Sequence, residues 1–175
     1  DPAGVADRAV EDVTAYWGQT YPDVYGSEFV PVAGFYPYGP DTALPPCGSP
    51  PPRYEEIAEN AFYCPDADII AWDEVALMPK LNEEFGAFTV AIVIAHEFGH
   101  AIGLAHEHSN PAGGIQWNEP VVLAALAGPP NFWDEATVRH NVFRKYALDQ
   151  IKGTQFDPDS IMLYAFPASW TLNAI

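Results

Sequence analysis

The chain has 175 residues, the size of one domain with room for a substantial core, and sets 7 Lys and Arg against 24 Asp and Glu for a net charge of −17. That balance repels nucleic acid and anionic membranes, and it leaves solubility, or basic peptides as ligands, as what the acidic surface favours. The longest nearly apolar run, "AFTVAIVIA" at residues 87–95, falls well short of the ~20 residues that cross a bilayer, and the N-terminus lacks a charged-then-apolar leader. The expectation is a single soluble domain over residues 1–175, monomeric, mature or already trimmed.

In chain order, "PAGVADRAVEDVTAYWGQTYP" places Val5, Ala9, Val13 and Tyr16 or Trp17 at helical spacing, with Gly18 and Pro22 as the expected stop. This is the expected backing helix. Residues 28–36, "EFVPVAGFY", read as a strand that Pro31 confines to a sheet edge. Seven prolines between Pro37 and Pro52 argue against regular structure there. "NAFYC-PDAD-IIAW" reads as a hairpin, with aromatic and β-branched runs on either side of a Pro/Asp turn.

Cys47 and Cys64 close a loop of modest size that takes in Pro50, Pro51 and Pro52, and neither sits in a Cys-x-x-Cys pair, which weakens zinc-ribbon and thioredoxin readings. A disulfide is the favoured reading, with two unpaired buried thiols as the alternative. A bridge would place the protein outside the reducing cytosol, secreted or extracellular.

A helix is expected from about Ala87, "AFTVAIVIAHEFGHAI", apolar almost all the way round and so buried through the domain, with Gly103 ending it. Further on, "WDEATVRHNVFRKYA" puts Val138, Val142, Phe143 and Tyr146 on one helical face, with acids in the first turn and Arg144 and Lys145 in the last. The tail, "FDPDSIMLYAFPASWTLNAI", reads as irregular, and no period of 20 to 50 residues repeats.

Four of the five histidines fall within "IAHEFGHAIGLAHEHSNP". His96 and His100 are four apart and share one helical face, so two imidazoles can grip one metal ion. Glu97 points about a quarter-turn aside, where it can act as general base on a metal-bound water without ligating the metal. Gly103 can take the left-handed conformation that ends a helix, and the reversal brings His106 to the same point. Three nitrogen donors with an open position describe a catalytic zinc site rather than a closed structural one. The extended pattern His-Glu-x-x-His-x-x-Gly-x-x-His fixes five positions, and a random chain of this composition matches it with probability on the order of 10⁻⁵.

With "SIMLY" at residues 160–164, the sequence resembles the metzincin metallopeptidases, in which a tight turn carries a methionine beneath the metal. The resemblance assigns that place to Met162. The Ser-Ile-Met-x-Tyr form and the Glu107 that follows His106 look most like the astacins, whose tyrosine ligates zinc and swings away to stabilise the oxyanion. It implies this role for Tyr164, a structural role for Glu107, and a pocket for the residue after the scissile bond lined by Phe166 and Pro167. His108 stands where astacins usually have glutamine, and reads as a surface residue. The first half, "NAFYCPDADIIAWD" through the zinc helix, is more similar to the neutral zinc metallopeptidases. Metzincins usually continue into a long C-terminal helix, whereas this chain has eleven residues after Tyr164.

The resulting expectation is an α+β, zincin-like domain: a twisted sheet, a backing helix, an active-site helix and a Met-turn. Its function would be zinc-dependent endopeptidase, of metzincin type, acting on protein or peptide substrates. Two alternatives stay open: a zinc-binding domain without useful catalysis, and a gluzincin arrangement in which an acid such as Glu119 replaces His106.

Overall fold

The computed structural model describes residues 1–129, 131–149, 151–152 and 155–173. The chain forms two compact units, Asp1–Leu104 and Ala105–Ile175. The first contains α1 (Pro2–Tyr25), β1 (Gly34–Tyr38), α2 (Tyr54–Ile57), β2 (Ala61–Cys64), β3 (Ile69–Asp73), α3 (Leu77–Phe85) and α4 (Ala87–Ala101).

The apolar stripe of α1 faces inward as its spacing predicts, with Ala6 and Ala9 buried and Val5, Val13 and Trp17 packed against the core. The helix does not stop at Gly18 or Pro22. Proline forfeits one backbone bond near the helix end, while the stripe continues through Tyr21, whose ring lies 4.4 Å from that of Tyr25 and 5.7 Å from that of Phe29. Gly26, at φ 73°, closes the last turn by donating to the Pro22 carbonyl at 2.9 Å.

The sheet has three strands in the order β1-β3-β2. β2 and β3 form the expected antiparallel hairpin, with Ala61 opposite Trp72 and Cys64 opposite Ile69. β1 runs parallel to β3, pairing Gly34 with Ile69 through to Tyr38 with Asp73. It begins later than the pattern suggests, because Pro31, without an N–H, stays outside the ladder, and its edge position accommodates Pro37. On the core side, Ile70 and Trp72 of β3 meet Met78 of α3 and Val90, Ile94 and Phe98 of α4. The short helix α3 is absent from the sequence reading. Its Pro79 falls in the first turn, where no intrahelical N–H is required. Gly86, at φ 88°, then breaks the backbone so that α4 starts afresh at Ala87.

Asp73, fully buried at the end of β3, organises the connections around the sheet. Its Oδ1 accepts from the N–H of Val75 (3.0 Å) and Ala76 (2.8 Å), and its Oδ2 from the Glu59 N–H and the Tyr54 hydroxyl, both at 2.9 Å. Burial pushes its pKa up, but these hydrogen bonds outweigh burial and hold it below the ordinary carboxylate value. The stability contributed by a depressed carboxylate is present above its unfolded pKa of about 3.9 and is lost as pH falls through the folded value. Asp73→Ala strands these donors and is expected to cost about 3 kcal/mol in denaturant unfolding at neutral pH, with a smaller deficit below about pH 3. An Asp73→Ala chain as stable as the parent at neutral pH would contradict the role.

Cys47 and Cys64 are bridged, 17 residues apart in sequence. Intact-mass analysis after alkylation should therefore find no free thiol. Reduction should lower stability by about 3 kcal/mol, and two alkylated cysteines without prior reduction would refute the bridge.

The second unit contains α5 (Glu119–Leu126), α6 (Glu135–Val138), a π-helical turn at Arg139–Phe143 and 3₁₀ turns at Glu107–Ser109 and Ala168–Trp170. Asp134 caps α6 by accepting from the Thr137 N–H at 2.8 Å. The helix expected through residue 147 ends at Phe143, where the widened π turn gives way to extended backbone at Arg144. Val138 and Val142 are nonetheless buried, against Val122 and Leu126 of α5. The tail is more ordered than its sequence suggests. Asn118 donates to the Trp170 carbonyl at 2.8 Å and Leu172 to the Gln116 carbonyl at 2.7 Å, around a Trp117–Thr171 bridge. No helix among the described residues is long and apolar enough to cross a membrane.

Candidate metal centre

The α4 helix carries its site residues on a buried scaffold. Val90, Ile94 and Phe98 are fully buried, and the Phe98 ring lies 5.5 Å from that of Phe35 in β1. His96 and Glu97 are 6 % and 7 % exposed. The i, i+4 spacing brings the Nε2 atoms of His96 and His100 to 3.1 Å, with the rings nearly perpendicular at 88°. His100 Nδ1 lies 3.0 Å from the Leu104 carbonyl. A carbonyl only accepts, so that bond puts the proton on Nδ1 and leaves the Nε2 lone pair aimed at His96. Burial, and to a smaller degree His96, lowers the His100 pKa despite the Leu104 bond, which favours the neutral imidazole that ligates metals.

The reversal after the helix follows the expected path. Gly103 takes φ 91°, its N–H donates to the His100 carbonyl at 3.0 Å, and Leu104 N–H reaches back to the Gly99 carbonyl at 2.8 Å. One ring nitrogen each from His96, His100 and His106, the last only two residues after Leu104, lie within 4.8 Å of one another. This is a group of imidazole donors able to hold one metal ion, and the donor set suits zinc. Among the described residues, no other group of three or more His, Cys, Asp or Glu ligand atoms meets the same test.

Glu97 does not belong to that group. Its carboxyl accepts from the backbone N–H of Tyr63 in β2, and burial, outweighing this bond, pushes its pKa up to about 7. Glu97 is thus a buried carboxyl, next in sequence to His96 and tied to a sheet strand.

The second unit groups the remaining candidates around His106. Met162 is 3 % exposed, in a tight turn where Leu163 N–H donates to the Ser160 carbonyl at 3.0 Å and Met162 N–H to Ser160 Oγ at 3.1 Å. The Met162 carbonyl accepts from Glu107 N–H at 2.9 Å. Glu107 Oε1 in turn accepts from Asn110 Nδ2 (2.8 Å) and the Asp157 N–H (2.9 Å), a tether between the segment after His106 and the segment before the turn. Tyr164 is half exposed, with its ring 4.6 Å from that of His106. Glu119, at the start of α5, is engaged by Arg139 at 3.1 Å and is not part of the donor group.

His108 departs from the expectation of a surface residue: it is 2 % exposed. The 3₁₀ turn after His106 carries its ring inward, where it stacks on both His106 (5.1 Å) and Tyr164 (5.6 Å), with Nε2 3.0 Å from the Asn141 carbonyl. The His-x-His spacing and the aromatic residues clustered downstream were the only sequence signal for it. Phe166 and Pro167 line a cavity whose wall also includes His106 and Tyr164.

No family model matches the chain, and neither does any curated protein. Among solved structures, the fold is similar to that of myroilysin: 22% identity, TM-score 0.58, covering 94% of this chain and 75% of that one. A crystal structure of myroilysin also aligns over 96% of this chain and 69% of that chain, at 20% identity and TM-score 0.39.

Proposed function

We propose that residues 1–175 form one catalytic domain, a zinc-dependent endopeptidase of metzincin type with an astacin-like second half. The observation that carries this reading is the group of three histidine donors with Glu97 buried next to His96 and outside the ligand set. A site built only to hold the fold has no use for an acid that does not ligate. The fold shared with myroilysin and the resemblance of "HEFGHAIGLAHE" and "SIMLY" to the metzincins support the same assignment.

His96, His100 and His106 are the proposed ligands. Zinc, when bound, supplies a Lewis acid that polarises a carbonyl and lowers the pKa of a coordinated water to about 7. Glu97 takes the proton of the attacking water and returns it to the leaving amine, and the Tyr63 N–H fixes the direction in which the carboxyl points. The Tyr164 phenol, at a half-exposed position beside His106, donates to the carbonyl oxygen as charge develops there. Met162 supports the turn that carries Tyr164. The substrates are proteins or peptides, the acidic surface disfavours nucleic acid and anionic membranes, and the working form is a monomer. The Cys47–Cys64 bridge supports a secreted or extracellular location.

Casein incubated with the zinc-loaded chain should release fragments, stop doing so in a zinc chelator, and resume on zinc addition. Undiminished cleavage in chelator would remove the metal from the account. Tyr164→Phe should lower kcat roughly tenfold with zinc content unchanged. An unaltered rate would reduce Tyr164 to packing.

A further inference from the structure

Three of the chain's 7 Lys and Arg fall within residues 139–145, so much of the positive charge of an acidic molecule is gathered in one short segment. Two of them are already engaged. Arg139 pairs with Glu119 at 3.1 Å and with Glu135 at 2.8 Å, and Lys145 Nζ donates to the Gly113 carbonyl. Arg144 differs. Arg8, Arg53 and Arg139 each face a glutamate, whereas no Asp or Glu among the described residues comes within ion-pair distance of the Arg144 guanidinium, in a chain that carries 24 of them. Its Nη1 lies 3.5 Å from His140 Nδ1. That is long for a hydrogen bond, and a guanidinium carries five N–H donors in a planar fork, so His140 leaves most of the fork unused.

The backbone holds this pair in place. The π turn closes with the Arg144 N–H on the Arg139 carbonyl at 3.0 Å, and two residues on, the Tyr146 N–H donates to the Ser109 carbonyl at 2.9 Å. Ser109, His140, Arg144, Tyr146 and Ile151 line a pocket of about 230 Å³ in the second unit. No acid is among these lining residues, and Ser109 and Tyr146 carry hydroxyls. The volume is below that of sites for drug-sized ligands, yet it holds a small oxyanion and a few waters, each of which takes about 30 Å³ in the liquid. A guanidinium fork matches two oxygens of a carboxylate, sulfate or phosphate, and the imidazole beside it adds a nitrogen donor. A cation would meet like charge there, and an apolar group would cover the donors without pairing them. The net charge of −17 opposes anion capture, but charges more than about 8 Å away are largely screened at physiological salt, so the lining decides.

We propose that this pocket is a binding site for a small oxyanion, held by the guanidinium fork of Arg144 with His140 and the hydroxyls of Ser109 and Tyr146 around it. None of His96, Glu97, His100, His106 and Tyr164 lines the pocket, so the site stands independently of the peptidase reading.

The His140 ring reports on occupancy directly. Its NMR signals are followed in the full zinc-loaded chain at fixed pH while sodium sulfate or sodium acetate is titrated, with sodium chloride holding the ionic strength constant and His140→Gln identifying the resonances. Saturable displacement by at least one of the two probes is expected. Tighter saturation by sulfate assigns a tetrahedral oxyanion, and tighter saturation by acetate assigns a carboxylate. An anion that goes to the zinc centre moves the His96, His100 and His106 signals instead, which separates the two places. Arg144→Gln should weaken the saturation at least about tenfold, because it removes a charge-assisted bidentate pair. Arg144→Lys, which keeps the charge without the fork, should weaken it less. Arg8→Gln, the same change of charge at a residue outside the pocket, should leave it unaltered. A response that does not saturate with either probe, or saturation that survives Arg144→Gln, would overturn the proposal. Saturable binding by a chain that cuts no peptide would support the anion site and sink the peptidase reading.

Discussion

Glu97→Gln is expected to bind zinc like the parent chain and to lose peptide hydrolysis by 10²–10⁴-fold or more, the range typical of removing a general base. The substitution keeps the side-chain volume and leaves the His96, His100 and His106 nitrogens untouched. It also keeps an acceptor oxygen for the Tyr63 N–H, so the side chain has a reason to stay where it is. What it removes is a group able to take and return a proton. Zinc content by mass spectrometry and initial rates on casein, measured on the same preparation, separate the two effects. Full activity with full zinc would eliminate Glu97 as the proton carrier, and loss of zinc would mean that the residue belongs to the ligand set.

The second large effect concerns the third ligand. His106→Ala is expected to be isolated depleted in zinc and inactive, because losing one of three ligands lowers metal affinity by orders of magnitude. Glu119→Ala should bind zinc stoichiometrically and cleave casein normally. Glu119 is half-exposed, its carboxylate is engaged by Arg139, and such a solvent-accessible ion pair contributes ~1 kcal/mol or less. The chain path gives the physical basis for the contrast. Gly103 at φ 91° reverses the backbone three residues before His106, whereas "SNPAGGIQWN" delays the next helix until Glu119. A zinc-replete, active His106→Ala chain beside a zinc-poor Glu119→Ala chain would reverse the assignment in favour of an acidic third ligand.

The parts of this protein legible in its sequence are those fixed by short-range geometry. The i, i+4 histidines, the glycine that can adopt positive φ after them, the β2–β3 hairpin and the start of α4 at Ala87 each depend on a few neighbouring residues. The bridge between Cys47 and Cys64 was the favoured one of two readings. Less legible were features set by partners distant in the chain. The α1 helix outruns Pro22 because the Tyr21, Tyr25 and Phe29 rings pack beyond it. β1 starts at Gly34 because its ladder is dictated by β3. The π turn at Arg139–Phe143 and the pairing of the tail with residues 116–118 have no periodic signature. His108 is the instructive case within the site: a lone polar residue after a ligand reads as surface, and its burial depends on Tyr164 and the Asn141 carbonyl, both far away in sequence. Asp73 likewise reads as a strand-end acid, and its four donors come from two connections flanking the sheet.

That His96, His100 and His106 together hold a catalytic zinc ion is open to direct test by zinc K-edge X-ray absorption of the zinc-loaded chain. The expected spectrum has a first shell of nitrogen and oxygen at about 2.0–2.1 Å, with multiple scattering from three imidazoles, and loses one imidazole or all bound zinc in His106→Ala. A shell containing fewer than three imidazoles in the parent chain, or one unchanged in His106→Ala, would contradict it.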